Sequence, residues 1–169
     1  MKFTFVPDYR FNTFDEASAA FLSSIGVKGL IMDVDNTLEP YEHPYPGEHV
    51  IKWLGELSSA GIKCAIVSNN NKERINLFNK ELGLVAYSKA KKPFKRNVLQ
   101  ALSDIGVSPR DAALIGDQVF TDVWAARNAG IKAILVPPIN DKRDLYTKFK
   151  RLLEKPILQK YEKINRQEK

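Results

Sequence analysis

Apolar residues in this chain occur in two alternating patterns, short continuous runs and stretches where they recur every three or four positions. Residues 29–34 form the first run, short enough for a buried strand. Residues 62–67, 84–87, 112–115 and 131–136 repeat it, with 84–87 the weakest. Between the runs lie helical patterns. One starts at Pro46, carries Val50, Trp53, Leu54 and Leu57 on one face, and is stopped by Gly61. Others span about 72–82, 93–105 and 121–129, and each meets a glycine, Gly83, Gly106 or Gly130. Ahead of the first strand, Thr13-Phe14-Asp15-Glu16 has the form of a capping box and predicts a helix ending near Gly26.

Strands of Ile, Val, Leu and Ala alternating with amphipathic helices imply a parallel sheet covered on both faces. The expected fold is α/β, a single doubly wound, Rossmann-like domain with about five parallel strands. Three regions follow: an N-terminal segment and helix over 1–28, a core over 29–140, and a basic helical tail over 141–169. No internal repeat or low-complexity linker interrupts them.

Composition narrows the class. At 169 residues, 44% hydrophobic and 27% charged, the chain is long enough for a real core and has the balance of a soluble globular domain. One cysteine, Cys64, cannot form an internal disulfide, and its place in the second apolar run reads as a small buried hydrophobe. Residues 1–10 lack the layout of a signal peptide, and no apolar stretch reaches the length of a membrane span. A cytoplasmic location is therefore expected. The net charge of +6 is concentrated in the tail, where ten Lys or Arg face five Asp or Glu. Such a tail is either a solvated helix face or an element drawn to an anionic surface.

Polar residues collect where the strands end. Asp33 and Asp35 close the first strand, Ser68 and Asn69 the second, and Asp117 the fourth. Lys91 and Lys92 precede a helix, and Asp122 opens another. In parallel sheets the site lies beyond the carboxyl ends of the strands. Carboxylates gathered there repel one another and require a compensating cation. Oxygen donors without nearby His or Cys point to a hard ion, magnesium before calcium or zinc. His43 and His49 are too isolated to be ligands and are assigned to the loop.

Asp33-Val34-Asp35-Asn36-Thr37-Leu38 resembles the first motif of the haloacid dehalogenase superfamily of phosphatases. Ser68-Asn69 is similar to its second motif, Lys92-Pro93 to its third, and Gly116-Asp117-Gln118-Val119-Phe120-Thr121-Asp122 to its fourth. All four stand in order, each after the expected element, across about 29–136. Within the superfamily the chain resembles subfamily IIIA and its small YqeG-like branch, which is similar to the mitochondrial phosphatidylglycerophosphate phosphatases.

The resemblance implies roles. Asp33 would be the nucleophile that forms an aspartyl-phosphate, and Asp35 the acid that protonates the leaving alkoxide and then activates water. ATPase members carry Thr at the position of Asp35, so the chain reads as a phosphatase. Ser68 and backbone N–H groups near Asn69 would hold phosphate oxygens, and Lys92, favoured over Lys91 by its adjacency to Pro93, would neutralise charge. Magnesium would be bound by Asp33, the carbonyl of Asp35 and Asp117. Asp122 would act through water or by orienting Lys92, and Thr37 with Asn36 would brace the loop.

Neither residues 38–62 nor 70–91 can house the cap domain that many relatives carry, so an open, capless site is expected. The aromatics Phe3, Phe5, Tyr9, Phe11 and Phe14, with Lys2 and Arg10, suit either a membrane interface or packing under the sheet edge. In the tail, Leu145, Phe149, Leu152 and Leu153 recur at helical spacing among basic residues, and Pro156 is expected to break or kink that helix. Three functions follow from these features: a phosphatidylglycerophosphate phosphatase working at an anionic phospholipid on the inner membrane face, a phosphatase of soluble metabolites such as nucleotides or sugar phosphates, and a binding module without chemistry. The intact acidic and basic set argues against the third. The partner is then a phosphate ester, with no nucleic acid expected.

Overall fold

The computed structural model describes residues 5–140 and 145–167, with side chains in the last helix described over 152–163. Six strands form one sheet in which every pairing is parallel: β1 (Tyr9–Arg10), β2 (Gly29–Met32), β3 (Lys63–Val67), β4 (Val85–Tyr87), β5 (Ala112–Gly116) and β6 (Lys132–Leu135). Their order across the sheet is β1-β6-β5-β2-β3-β4. The expectation of about five strands is thus corrected to six. The extra strand, β1, is only two residues long and pairs Tyr9 with Ile134 and Arg10 with Leu135, too short to register as a hydrophobic pattern.

Alternation along the strands builds two cores. Leu30 and Met32 face a layer made by α1 (Ala19–Ser24), α2 (Glu48–Ser59) and α3 (Lys72–Asn79), where Leu22, Trp53, Leu57 and Phe78 are buried. Ile31 and Leu114 face the opposite layer of α4 (Arg96–Asp104) and α5 (Trp124–Ala129), with Val98, Leu102 and Ala126 buried. The chain winds outward from β2 through β3 to β4, then crosses to β5 on the other side of β2. That reversal beside β2 is where such sheets open a crevice.

Local starts and stops differ in detail from the sequence expectation. Thr13 makes no side-chain cap, because a short 3-10 turn over Phe14–Glu16 intervenes and Ser18 caps α1 by accepting from Phe21 N. Glu16 instead accepts from Asn12 N. The terminating glycines behave as expected, with Gly61, Gly83, Gly106 and Gly130 all in the left-handed region.

The aromatic N-terminal residues pack inward. Phe5 meets Phe120 and Trp124 edge-on, Tyr9 and Phe11 meet Phe21, and Phe14 is buried against Trp53. Lys2 and Phe3 lie outside the described residues. The tail forms α6 (Leu145–Gln167), which continues through Pro156 without ending there. Pro156 and Leu152 one turn before it are exposed, so the carbonyl freed by the proline faces water. Part of α6 packs on the domain, on a face that does not include Leu152 and Leu153. Ile157 and Leu158 lie on the second core and Glu154 is buried, whereas Leu152 and Leu153 are exposed. Leu145 and Phe149 have no described side chains. No helix among the described residues is long and apolar enough to cross a membrane.

Candidate active site

The crevice beside β2 is furnished by three loops. Beyond β2, Asp33 N donates to Ile115 O of β5, placing Asp33 on the seam between the two strands. The chain then turns tightly. Asn36 adopts φ 61°, a left-handed conformation that asparagine tolerates, and Thr37 N and Leu38 N both donate to Val34 O. This turn aims Thr37 inward, where Oγ1 donates to Asp117 Oδ1 at 3.3 Å.

Residues 68–70 and 89–92 form a second and third loop bonded to one another. Ala90 N donates to Ser68 O and Lys89 N to Asn70 O. The Asn69 side chain closes this contact by accepting from Lys92 N at 2.7 Å and donating to Lys92 O at 3.1 Å. Lys89 and Lys91 have φ of 46° and 55°, strained values for lysine. The resulting zigzag leaves their side chains exposed and sends that of Lys92 into the interior.

The Lys92 ammonium lies 2.9 Å from Asp33 Oδ1 and 2.6 Å from Asp122 Oδ1. Asp122 is delivered by a single π-helical turn, Val119–Val123, in which Val123 N reaches back to Gln118 O before α5 begins. Its other oxygen accepts from Gln118 N at 3.1 Å. Glu154 of α6 accepts from Val119 N at 3.0 Å, bracing this turn from outside.

Asp33, Asp117 and Asp122 each offer an oxygen within 4.8 Å of the other two, and all three are buried. Asp122 therefore stands in the acidic group as well as beside Lys92. Burial raises the Asp33 carboxyl; Lys92 pulls it down and Asp122 and Asp35 push it up, for a net value of about 6. For Lys92, burial acts to lower the pKa, but Asp122 and Asp33 outweigh it and hold the ammonium above the usual lysine range. Lys92 pairs with Asp33 and Asp122, while Asp117 Oδ1 accepts from Thr37. The donor set is all oxygen and in excess of its lysine, a fit for a hard divalent cation.

Asp35 is placed differently. Its carboxylate is turned to α3, with Oδ1 accepting from Arg74 Nε at 3.0 Å and Oδ2 from Asn70 Nδ2 at 2.7 Å. Neither Arg74 nor Asn70 was singled out by sequence. The available signal was a charged residue on the apolar stripe of a helix, since Arg74 is flanked by the buried Ile75 and Phe78.

Asp33, Asp35, Ser68, Asn69 and Lys92 line one cleft of about 420 Å³, together with Asn70, Gln118, Thr121 and the exposed Tyr41. A larger hollow of about 610 Å³ along the outer face of α3 has only exposed side chains around it and no buried ionisable group. Cys64 takes no part, as burial pushes its thiol up to about 12. His43 and His49 both contact the buried Glu39 carboxylate, at 3.2 and 3.4 Å, which ties the loop after the first motif.

Lys92→Met tests the arrangement. Removing the ammonium leaves Asp33 and Asp122 buried together, a cost of about 3–5 kcal/mol. A thermal midpoint several degrees lower in metal-free protein is expected, with partial recovery on adding magnesium; an unchanged midpoint would contradict the pairing.

The family profile described as haloacid dehalogenase-like hydrolase matches residues 26–136. The probable phosphatase YqeG of Bacillus subtilis is 35% identical over 158 residues, covering 94% of this chain and 92% of that protein. A phosphoglycolate phosphatase of Agrobacterium fabrum is 32% identical over 100 residues, but the match covers only 54% of this chain and 42% of that enzyme. Among solved structures, the cobalt-bound deoxy-D-mannose-octulosonate 8-phosphate phosphatase of Haemophilus influenzae aligns with a TM-score of 0.56 at 17% identity, covering 81% of this chain and 90% of that one, a likeness of fold.

Proposed function

Because the chain belongs to the haloacid dehalogenase-like hydrolases, we propose that it is a magnesium-dependent phosphomonoesterase working through an aspartyl-phosphate on Asp33. The observation that carries this reading is the buried contact of Lys92 with both Asp33 and Asp122, beside Asp117, at the mouth of the crevice.

An Asp33 oxygen attacks phosphorus, and the ester oxygen leaves as the alcohol with a proton from Asp35. Water then attacks the phosphorus of the aspartyl-phosphate, giving its proton to Asp35 and releasing inorganic phosphate and free Asp33. Lys92, held by Asn69, faces the charge that gathers on the phosphoryl oxygens, and Ser68 sits in the same cleft to receive one of them. Asp33, Asp117 and the Asp35 carbonyl would hold magnesium, with Asp122 adjoining them. The ion supplies Lewis-acid stabilisation of the phosphoryl group.

For the substrate, our reading is a phosphate on a lipid head group, with phosphatidylglycerophosphate as the specific candidate. The open cleft, the exposed Tyr41, Tyr45 and Phe94 near its loops, and the exposed Leu152 and Leu153 on the basic α6 support it. The enzyme would then act in the cytoplasm, peripherally on the inner membrane face. Soluble phosphometabolites are the second reading, favoured by the partial match to the Agrobacterium phosphoglycolate phosphatase. Phosphate release from phosphatidylglycerophosphate in liposomes, measured beside a panel of soluble esters with magnesium and again with chelator, separates the two. Release from the lipid at least tenfold above every soluble ester is expected. Release from soluble esters alone sinks the lipid reading, and turnover that survives chelation sinks the metal.

A further inference from the structure

Asp35 stands just past β2 in a loop, and a proton-transfer group must be held within hydrogen-bond reach of the oxygen it serves. Two residues of the α3 region take hold of it, one on each oxygen. Arg74 reaches Oδ1 with Nε at 3.0 Å, and Nη2 lies 3.0 Å from the same oxygen. Asn70 donates to Oδ2 at 2.7 Å.

Arg74 is itself immobilised. Its side chain is 9% exposed, Nη1 donates to Pro44 O at 2.9 Å, and its guanidinium lies 5.4 Å over the Phe78 ring. Asn71 caps α3 by accepting from Arg74 N, which fixes the backbone under the side chain. The guanidinium donates to the carboxylate through Nε and to the Pro44 carbonyl through Nη1, two directions fixed by one plane that lysine could not supply, while Nη2 lies beside Asp35 Oδ1 without a hydrogen bond. Arg74 is not among the residues lining the cleft, so any effect on the reaction must pass through Asp35.

We propose that Arg74, with Asn70, is a positioning residue that aims the Asp35 carboxyl at the leaving oxygen and then at the attacking water. The proposal rests on the acid–base role given to Asp35 above. It assigns the buried arginine of α3 to the proton-transfer steps and not to phosphate binding.

The two chemical steps separate this role from a structural one. A nitrophenolate leaves without needing a proton, whereas an alkoxide does not, and hydrolysis of the aspartyl-phosphate needs the base in either case. Rapid mixing of magnesium-loaded Arg74→Gln with 4-nitrophenyl phosphate should therefore show a burst approaching one nitrophenolate per chain at the unmodified rate. A steady state roughly 10²-fold slower than the unmodified chain should follow. With a simple alkyl phosphate the first turnover itself should slow by roughly 10²-fold, with no burst. First turnovers that fall equally on both esters, or on neither, overturn the proposal. Asp35→Asn run beside it must show the same pattern at greater depth; if it does not, the acid–base reading of Asp35 has failed and takes the Arg74 role with it. Should Arg74→Gln lose its far-ultraviolet circular dichroism, Asn70→Ala, which releases the other oxygen, is judged by the same criteria.

Discussion

Asp33→Asn is expected to abolish turnover and, at the same time, to raise the melting temperature of the metal-free protein. The first effect follows from losing the nucleophile, whose removal from a covalent mechanism costs on the order of 10³-fold or more. The second follows from what the fold does to this carboxyl. In the native state it titrates near 6, against an ordinary value of 3.8, because it is buried beside Asp122 and Asp35 and only partly relieved by Lys92. The native protein thus holds a proton here that the unfolded chain has already lost. Stability from this group is full below about pH 4 and is lost as pH rises through about 6. The ionised Asp33 then costs about 3 kcal/mol in the absence of metal. An amide carries no such cost, so the variant should melt a few degrees above the unmodified chain at pH 8 and show little or no advantage at pH 4. Magnesium should reverse the order at pH 8 by stabilising only the carboxylate form. Melting curves at the two pH values, with and without magnesium, check all of this; a variant less stable than the unmodified metal-free chain at pH 8 would contradict the strained-carboxylate account.

Gly116→Ala should be the most damaging single methyl group in the molecule. Gly116 ends β5 with an ordinary backbone, so its value lies in the space above its Cα. A Cβ built there falls well inside 3.0 Å of the Asp122 side chain, against its Cγ, Cβ and Oδ2 alike. Asp122 is fully buried and fixed by Lys92 and Gln118 N, leaving it no flexible end to move aside. Overpacking alone costs about 1–3 kcal/mol, and displacing one partner of a buried ion pair adds about 3–5 kcal/mol. We expect poor recovery of folded protein, a midpoint lowered by on the order of 10 °C in what folds, and magnesium affinity reduced at least tenfold by calorimetry. Normal magnesium affinity in a folded variant would show that Asp122 has room elsewhere and is not needed in place.

Much of this site could be read from the chain because its parts are local. Each of Asp33, Ser68, Lys92 and Asp117 follows an apolar run, and a parallel sheet sends all such positions to one edge. What escaped was set by distance in sequence. Arg74 shows in the sequence only as a charge on the apolar stripe of a helix, and its partner is defined when β2 and α3 are packed together and Asp35 comes within reach. Glu154 lies among lysines in a basic tail, and only the docking of α6 shows that it meets Val119 N. Asp122 entered as a supporting group through the resemblance, and the π-helical turn that carries it to Lys92 left no mark in the sequence pattern. The tail's helical spacing of leucines left its packed face open, and that face holds a glutamate, Glu154, beside Ile157 and Leu158. The chain-reversing glycines were legible because φ near +70° leaves little choice of residue.

The pairing of β1 with β6 has a consequence for the order in which the protein comes into being. Asp8 meets Ala133 through its carboxylate and backbone, across 125 positions of chain. Among the described strands, β1 is made before β6 yet can be seated only after it, with β2, β3, β4 and β5 made in between. Until β6 is made, β5 is the open edge on that side of the sheet, and β6 then takes that place until β1 pairs with it. That edge is closed by a segment made far earlier in the chain, when Tyr9 and Arg10 pair with Ile134 and Leu135.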